Sequence, residues 1–276
     1  VQTCALPILQ EGKKIIPALR RTFAEEWIHC LKPDIYCHID APWIHYSEDT
    51  FNDKVYPFSD TKKTSDLLKK FDEFKVDGLT YDPTKKVGIV LPQKGAKSNI
   101  RLLNMHVPSH IVAKKGDAKP FLEFMEYLIP VEMDREHVYR WIATLIARPD
   151  VKMIYALLLI SNSQGVGKTT LAEHILRPLV GDNNVSYPTE GDVVDTKFNT
   201  WIEAKRLAII AEIYAGHSSK AANNLKQPIT DKTIEIRRKY MDEYSIPNWI
   251  HIIASSNDER AIKVDNTDRK IGRAHV

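Results

Sequence analysis

SNSQGVGKTT, residues Ser161 to Thr170, follows the apolar run Tyr155 to Ile160 and leads into a segment with helical spacing. A nucleoside-triphosphate loop needs three parts in this order: a strand that fixes its base, small residues that let backbone N–H groups close round phosphate oxygens, and a helix whose N-terminus faces the anion. Gly165 and Gly167 let the backbone approach without a Cβ, Lys168 can reach the β and γ phosphates, and the Thr169 hydroxyl can ligate Mg²⁺. Asn162, Ser163, Gln164, Val166 and Thr170 complete the expected ATP cradle. In the pattern G-x-x-x-x-G-K-[ST] the first glycine falls on Asn162, a residue type that tolerates left-handed backbone better than most. The helix behind the loop is expected to run through Leu171, Ile175 and Leu179. A chance GKT in a surface loop would lack both the strand before it and the periodic helix after it.

Two further apolar runs extend this α/β pattern. Leu207 to Ala211, LAIIA, is closed by Glu212 and reads as a buried parallel strand with an acid at its carboxyl end. Ile250 to Ala254, IHIIA, is followed by Ser255, Ser256 and Asn257. Ligands of open α/β sheets bind at that edge, which places Glu212 and Asn257 beside the loop. Phosphoryl transfer is mostly positioning and charge neutralisation. Lys168 and Thr169 supply a cation and a metal ligand, Glu212 can polarise a water directly or through the metal shell, and Asn257 can hold that water. The position before Glu212 is Ala211, where the usual pair has an acid, so Glu212 or a more distant acid must serve the metal. The plainer alternative for Glu212 is a helix cap or a salt-bridge partner.

The rest of the chain bounds the class. With 276 residues, 43% hydrophobic and 27% charged, it has the composition of an ordinary soluble globular protein, enough for one full domain and part of another. Apolar runs such as Ile154 to Ile160 are too short to span a bilayer, so no membrane partner and a cytoplasmic setting are expected. A net charge of +3 does not by itself argue for nucleic acid. Cys30 and Cys37 each neighbour a histidine, but C-x6-C lacks zinc-knuckle spacing, and buried small apolar groups are the simpler expectation. Thr3 to Ile8 (TCALPI) and Ile271 to Val276 (IGRAHV) can be encoded by opposite strands of one DNA segment, an inverted repeat resembling a sequencing adapter translated at both ends. Residues 1–8 and 271–276 are therefore set aside, and the natural chain is expected to continue in both directions.

Residues 9–118 mix short helical and strand-like pieces with polar joints and suggest no particular fold. Tyr81 to Val90 and Asn99 to Pro108 are β-leaning segments able to pair. Trp27, Tyr36, Trp43 and Tyr46 could stack on bases, but their irregular spacing favours core. Residues 119–150 read as a helical lead-in. Pro120 opens one helix with Phe121, Phe124, Met125 and Leu128 on a face, and Asp134 is expected to cap a second whose apolar face is Val138, Trp141, Ile142, Leu145 and Ile146. Residues 151–270 form the nucleotide-binding core, and Pro149 ends the helix before it.

Four stretches in order, SNSQGVGKTTL, RLAIIAEI (Arg206 to Ile213), LKQPITDKTIEIRRKYMDEYSIPNW (Leu225 to Trp249) and HIIASSND (His251 to Asp258), resemble superfamily 3 helicases, specifically the helicase-like domain of phage and plasmid primase-helicase proteins. The resemblance runs from about Lys119 to Lys270. It implies a P-loop NTPase of AAA+ type with a parallel sheet, Mg-ATP hydrolysis coupled to single-stranded DNA translocation in phage or plasmid replication, and a homo-oligomeric ring, a hexamer in the family. It also implies an arginine finger at Arg269 in VDNTDRK, a helical lid further on, a possible upstream primase domain, and the host bacterium's cytoplasm as the setting. Lys226 and the run Arg237, Arg238, Lys239, Tyr240 fall where the family's hairpin holds DNA, and adjacent cations with an aromatic suit a sequence-blind contact. A solvated hairpin tip is the alternative for the run, and the nucleotide interface is the alternative for Lys226. Two other functions stay open: a P-loop enzyme such as a small-molecule kinase, and a nucleotide-gated DNA-loading module that does not unwind.

Overall fold

The computed structural model describes residues 9–11, 14–16, 26–59, 61–91, 99–195, 197–212, 218–240, 242–257 and 271–275. The chain divides into two compact units, one made of Val1–Thr80 and Lys85–Met105, the other of Tyr81–Thr84 and His106–Val276.

In the first unit, β1 (Leu9–Glu11) and β2 (Lys14–Ile16) pair antiparallel. β3 (Trp27–Cys30), β4 (Ile35–His38) and β5 (Ala41–Tyr46) form an antiparallel meander that β6 (Lys75–Val76) extends in parallel along β3. Ser47 caps α1 (Glu48–Val55), which together with α2 (Ser65–Lys70) covers this sheet. Trp27, Tyr36, Phe51, Val55, Leu68 and Phe74 are the core, with the Tyr36 and Phe51 rings stacked at 4.6 Å. Trp27 and Tyr36 are thus core residues, while Trp43 and Tyr46 are half-buried. Cys30 and Cys37 are free and buried, and burial pushes both thiols up to about 12, so they pack as neutral groups. A second sheet has the order β7 (Gly78–Thr80), β9 (Leu102–Asn104), β8 (Gly88–Val90). The β8–β9 pairing joins the two β-leaning segments of the sequence.

The second unit carries the candidate site. It begins at His106 rather than at 119, and Tyr81–Thr84 belongs to it. The buried Tyr81 hydroxyl donates to Asn184 Oδ1 at 3.0 Å, and Asn184 Nδ2 donates to Val107 O and Val180 O at 2.7 and 2.9 Å. Those buried polar atoms are matched, so the strap costs little to bury.

The lead-in consists of α3 (Lys119–Leu128), with Pro120 in its first turn, and α4 (Glu132–Ala147). Asp134 does not cap α4. The N-cap is Val131, in extended backbone, and Asp134 sits inside the first turn, where its charge faces the helix dipole. Ile146 is 39% exposed, whereas Val138, Trp141, Ile142 and Leu145 are buried. The apolar face therefore ends one residue before Ile146.

β10 (Ala156–Ile160), β11 (Val185–Ser186), β12 (Leu207–Ile210), β15 (His251–Ser256) and β16 (Ile271–His275) make one sheet in the order β11-β12-β15-β10-β16. Every pairing in it is parallel. Residues 271–275, set aside in the sequence, thus form a strand of this sheet. All residues of β10 and β12 are buried, as continuous apolar runs in a parallel sheet require. Leu157, Leu159, Leu207, Ile209 and Ile253 pack with Met125, Leu128, Val138 and Trp141 of the lead-in in one cluster. Each such side chain contributes about 1.5–3 kcal/mol by leaving water.

The helix after the loop winds differently from the expected α repeat. Over Thr170–Leu176 it is π-helical, the Arg177 N–H bonding to Ala172 O, and α5 (Arg177–Val180) follows. Leu171, Ala172 and Leu176 are buried, while Ile175 and Leu179 are half-buried, since the wider i→i+5 ladder turns the apolar face away from the expected α spacing. Next come α6 (Glu190–Val194) and α7 (Ser218–Thr230), then β13 (Thr233–Ile236) and β14 (Tyr244–Pro247), an antiparallel hairpin in its own sheet. No described helix is long and apolar enough to cross a membrane.

Candidate functional site

The carboxyl ends of β10, β12 and β15 converge on the glycine-rich loop. Ser161, buried at the end of β10, donates its N–H to Ser256 O at 3.1 Å, pinning the loop base to β15. Its hydroxyl accepts the Ser163 N–H at 3.1 Å and donates to Ser163 O at 3.0 Å, a local turn that starts the loop. Gly165 and Gly167 have φ of 74° and 110°, which explains the glycines directly. Asn162 does not share that conformation, so tolerance of left-handed backbone is not why asparagine stands there. A Cβ on Gly167 would lie 3.0 Å from Phe124 Cε2 and 3.5 Å from Leu128 Cδ1. Helix α3 therefore packs directly behind the loop. Asn162, Ser163, Gln164, Gly165, Thr169 and Thr170 are exposed, while Val166, Gly167 and Lys168 are half-buried.

Lys168 reaches across the sheet edge. Its Nζ donates to Asn257 Oδ1 at 2.7 Å and to Ser256 O at 3.2 Å. Burial lowers the Lys168 pKa below the ordinary lysine value, and the charge of Glu212 opposes that shift. Glu212 is exposed, two residues past β12. Placing β15 between β10 and β12 is what brings Lys168, Glu212 and Asn257 to one edge.

Two neighbours went unnoticed in the sequence. A small cavity is lined by Lys168, Thr169, Glu173, Ala211 and Ser255. Glu173 lies four residues after Thr169, so helical spacing alone could have flagged it. The Ser255 hydroxyl donates to Ala211 O, tying the end of β15 to the residue before Glu212. No sequence pattern signals that bond.

The hairpin divides the basic run. Ile234 and Ile236 are buried and Thr233 and Glu235 exposed, the alternation of a half-covered strand. Arg237 bonds Glu235 at 3.0 Å and lies 3.6 Å from Glu243, while the Arg238 Nε donates to the buried Glu203 at 2.5 Å. Lys239 Nζ instead sits 4.8 Å from the centroid of the Tyr240 ring. Tyr240 has φ of 63° and is 90% exposed. The two arginines thus brace the base of the hairpin loop, and Lys239 with Tyr240 forms its projecting tip. Lys226, half-buried on α7, donates to Asn223 Oδ1 at 2.7 Å. Arg269 lies outside the described residues.

Comparison with known proteins adds a match over part of the chain and a similar fold. Residues 159–273 match a family of unknown function, DUF5906. Over 201 residues, 69% of the chain, the sequence is 25% identical to the DNA primase-polymerase of Nitratiruptor phage NrS-1. Two apo structures of the NrS-1 C-terminal region align with TM-scores of 0.75 and 0.71 at 18% and 19% identity, covering 94% of this chain and 60% and 61% of theirs. The chain is thus similar in fold to the C-terminal region of a phage primase-polymerase, and spans 26% of the length of that whole relative.

Proposed function

We propose that the second unit is a P-loop NTPase of AAA+ type that hydrolyses ATP with Mg²⁺ and works on single-stranded DNA as a helicase-like motor of phage replication. The observation that carries this reading is the Lys168–Asn257 contact at the mouth of a loop whose two glycines are left-handed. The cradle fits a phosphate chain: a loop open to solvent at Gly165, a half-buried lysine and a helix N-terminus share one sheet edge. The fit extends to a divalent cation, since Thr169 and Glu173 line the same cavity and the charge of Glu212 is felt at Lys168.

Bound there, Mg²⁺ would neutralise charge on the phosphate oxygens. The loop N–H groups bind and orient the phosphates. Lys168 exchanges its contact with Asn257 for the β and γ phosphates, which frees the Asn257 amide to position a water, and Glu212 takes that water's proton. With Ala211 in front of Glu212, Glu173, which lines the cavity with Thr169, is the candidate second acid. DNA as the partner is supported by the name of the NrS-1 relative and by the cationic, aromatic hairpin tip. A ring, hexameric as in superfamily 3, with Arg269 serving the neighbouring site, belongs to the same reading. So do a primase domain upstream and a place in the cytoplasm of an infected host.

The experiment is ATP hydrolysis with and without single-stranded DNA, in the parent and in Lys168→Ala. DNA-stimulated turnover that vanishes in the variant supports the reading, and equal turnover in both proteins would sink it. Strand displacement then separates a motor from a nucleotide-gated loading module.

A further inference from the structure

Among the described residues β13 and β14 pair only with each other, so contacts at the base of the hairpin loop, not a ladder to the main sheet, hold that end of the hairpin at its angle. The segment before β12 supplies them. Asn199 acts as a surrogate strand: its N–H donates to Arg237 O at 3.3 Å, its Oδ1 accepts the Arg237 N–H at 2.8 Å, and its Nδ2 donates to Glu235 O at 2.7 Å. Glu203, 4% exposed, spans both hairpin strands with one carboxylate. Oε2 takes the Nε of Arg238, just past β13, and Oε1 takes the hydroxyl of Tyr244, which opens β14.

A carboxylate so buried is tolerated only with such partners, and removing one leaves charge stranded. The chain from Glu203 onward is equally constrained. Ala204 is left-handed at φ 52°, the Arg206 N–H donates to Asn184 O at 2.8 Å, and Arg206 O accepts the His251 N–H at 2.8 Å. β12 starts at the next residue and delivers Glu212 to the sheet edge. The backbone from Glu203 through β12 therefore joins the base of the hairpin loop to the candidate nucleotide site.

We propose that Glu203 is a positioning residue that sets the angle of the hairpin against β12, so that DNA at the Lys239–Tyr240 tip and nucleotide at the sheet edge sense each other. This rests on the function proposed above. Coupling of that kind is a free energy shared by two sites and is read as a ratio of affinities.

The test measures the affinity of the full-length protein for a thymidine oligonucleotide with and without a non-hydrolysable ATP analogue and Mg²⁺. In the parent the two affinities should differ by at least about fivefold. Glu203→Gln should lower the thermal midpoint, because Arg238 loses its charged partner. Assayed at a temperature where it is folded, it should bring that ratio to about one while the analogue's affinity for the DNA-free protein stays near the parent's. Tyr244→Phe, which keeps the ring and removes its bond to Glu203, should fall between. If Glu203→Gln does not fold, Tyr244→Phe decides by the same ratio. Parental ratios in the variants overturn the role of Glu203 and leave the proposed function standing. A parent that binds no nucleotide or no DNA overturns the function, and the coupling falls with it.

Discussion

Lys168 Nζ and Asn257 Oδ1, 89 residues apart in the chain, meet at 2.7 Å across the ends of β10 and β15. The contact joins a cation that would bind phosphate to an amide that would hold water, and it exists because β15 inserts between β10 and β12. Lys168→Ala should abolish nucleotide-dependent turnover and weaken nucleotide binding, and Asn257→Ala should slow turnover by about 10²-fold with little change in affinity. Steady-state rates with fluorescent-nucleotide titrations check both. Equal rates in parent and Asn257→Ala would remove Asn257 from the chemistry.

Glu212→Gln should keep Mg-nucleotide binding and lose turnover, because the amide preserves volume but cannot accept a proton. The same measurements on Glu173→Gln distinguish a metal-shell role, expected to raise the Mg²⁺ requirement, from that of a bystander. Unchanged turnover in Glu212→Gln would move the base elsewhere.

Gly167→Ala should cost more than Gly165→Ala. Both have positive φ, a strain of about 1–3 kcal/mol for alanine. Only at position 167 does the new Cβ also meet Phe124, at 3.0 Å, whereas nothing lies within 4 Å of one at Gly165. At roughly 2–4 °C per kcal/mol the thermal midpoint of the Gly167 variant should fall measurably further. The reverse order would contradict the packing of α3 behind the loop.

At the hairpin, Lys239→Ala should flatten the salt dependence of single-stranded DNA binding by about 0.7 in the log–log slope, and Tyr240→Ala should cost about 1–3 kcal/mol. Arg238→Ala should act chiefly on stability, since its partner Glu203 is buried. A salt slope that Lys239→Ala leaves untouched would take the tip off the DNA path.

Stability should rise with pH across the neutral range. Lys152, which donates to Pro228 O at 3.3 Å and to Ile250 O at 2.5 Å, has its pKa lowered to about 7, mainly by burial and then by the charge of Arg206. Between about 7 and the ordinary value of 10.5 the unfolded chain holds a proton that the native state does not, so unfolding becomes harder as pH increases through that window. The slope should be at most about 1.4 kcal/mol per pH unit. Buried His251, its pKa well below 6.5 from burial, extends the trend to lower pH with the same sign. Thermal melts from pH 6 to 9 should show a flatter dependence in Lys152→Met than in the parent.

Much of this was legible in the residues themselves. β10, β12 and β15 stood out because strands buried on both faces are written as unbroken apolar runs, and the loop because left-handed backbone and close helix packing select glycine. Helix periodicity located α3 and α4, though the start expected for α4 lay three residues late. Local pattern could not show that the turn after the loop winds as a π-helix or that Asp134 leaves capping to the backbone at Val131. The first unit stayed unread because strands of two to six residues carry too little periodicity to set a register. The basic run Arg237 to Tyr240 is uniform as text, and only tertiary structure separates its bracing arginines from its projecting tip. That division depends on Glu203 and Asn199, distant in sequence and brought to the base of the hairpin loop by the turn before β12. A residue's own chemistry sets what it can bind, but its partners are set by which strand folds beside which, and that ordering is a property of the whole chain.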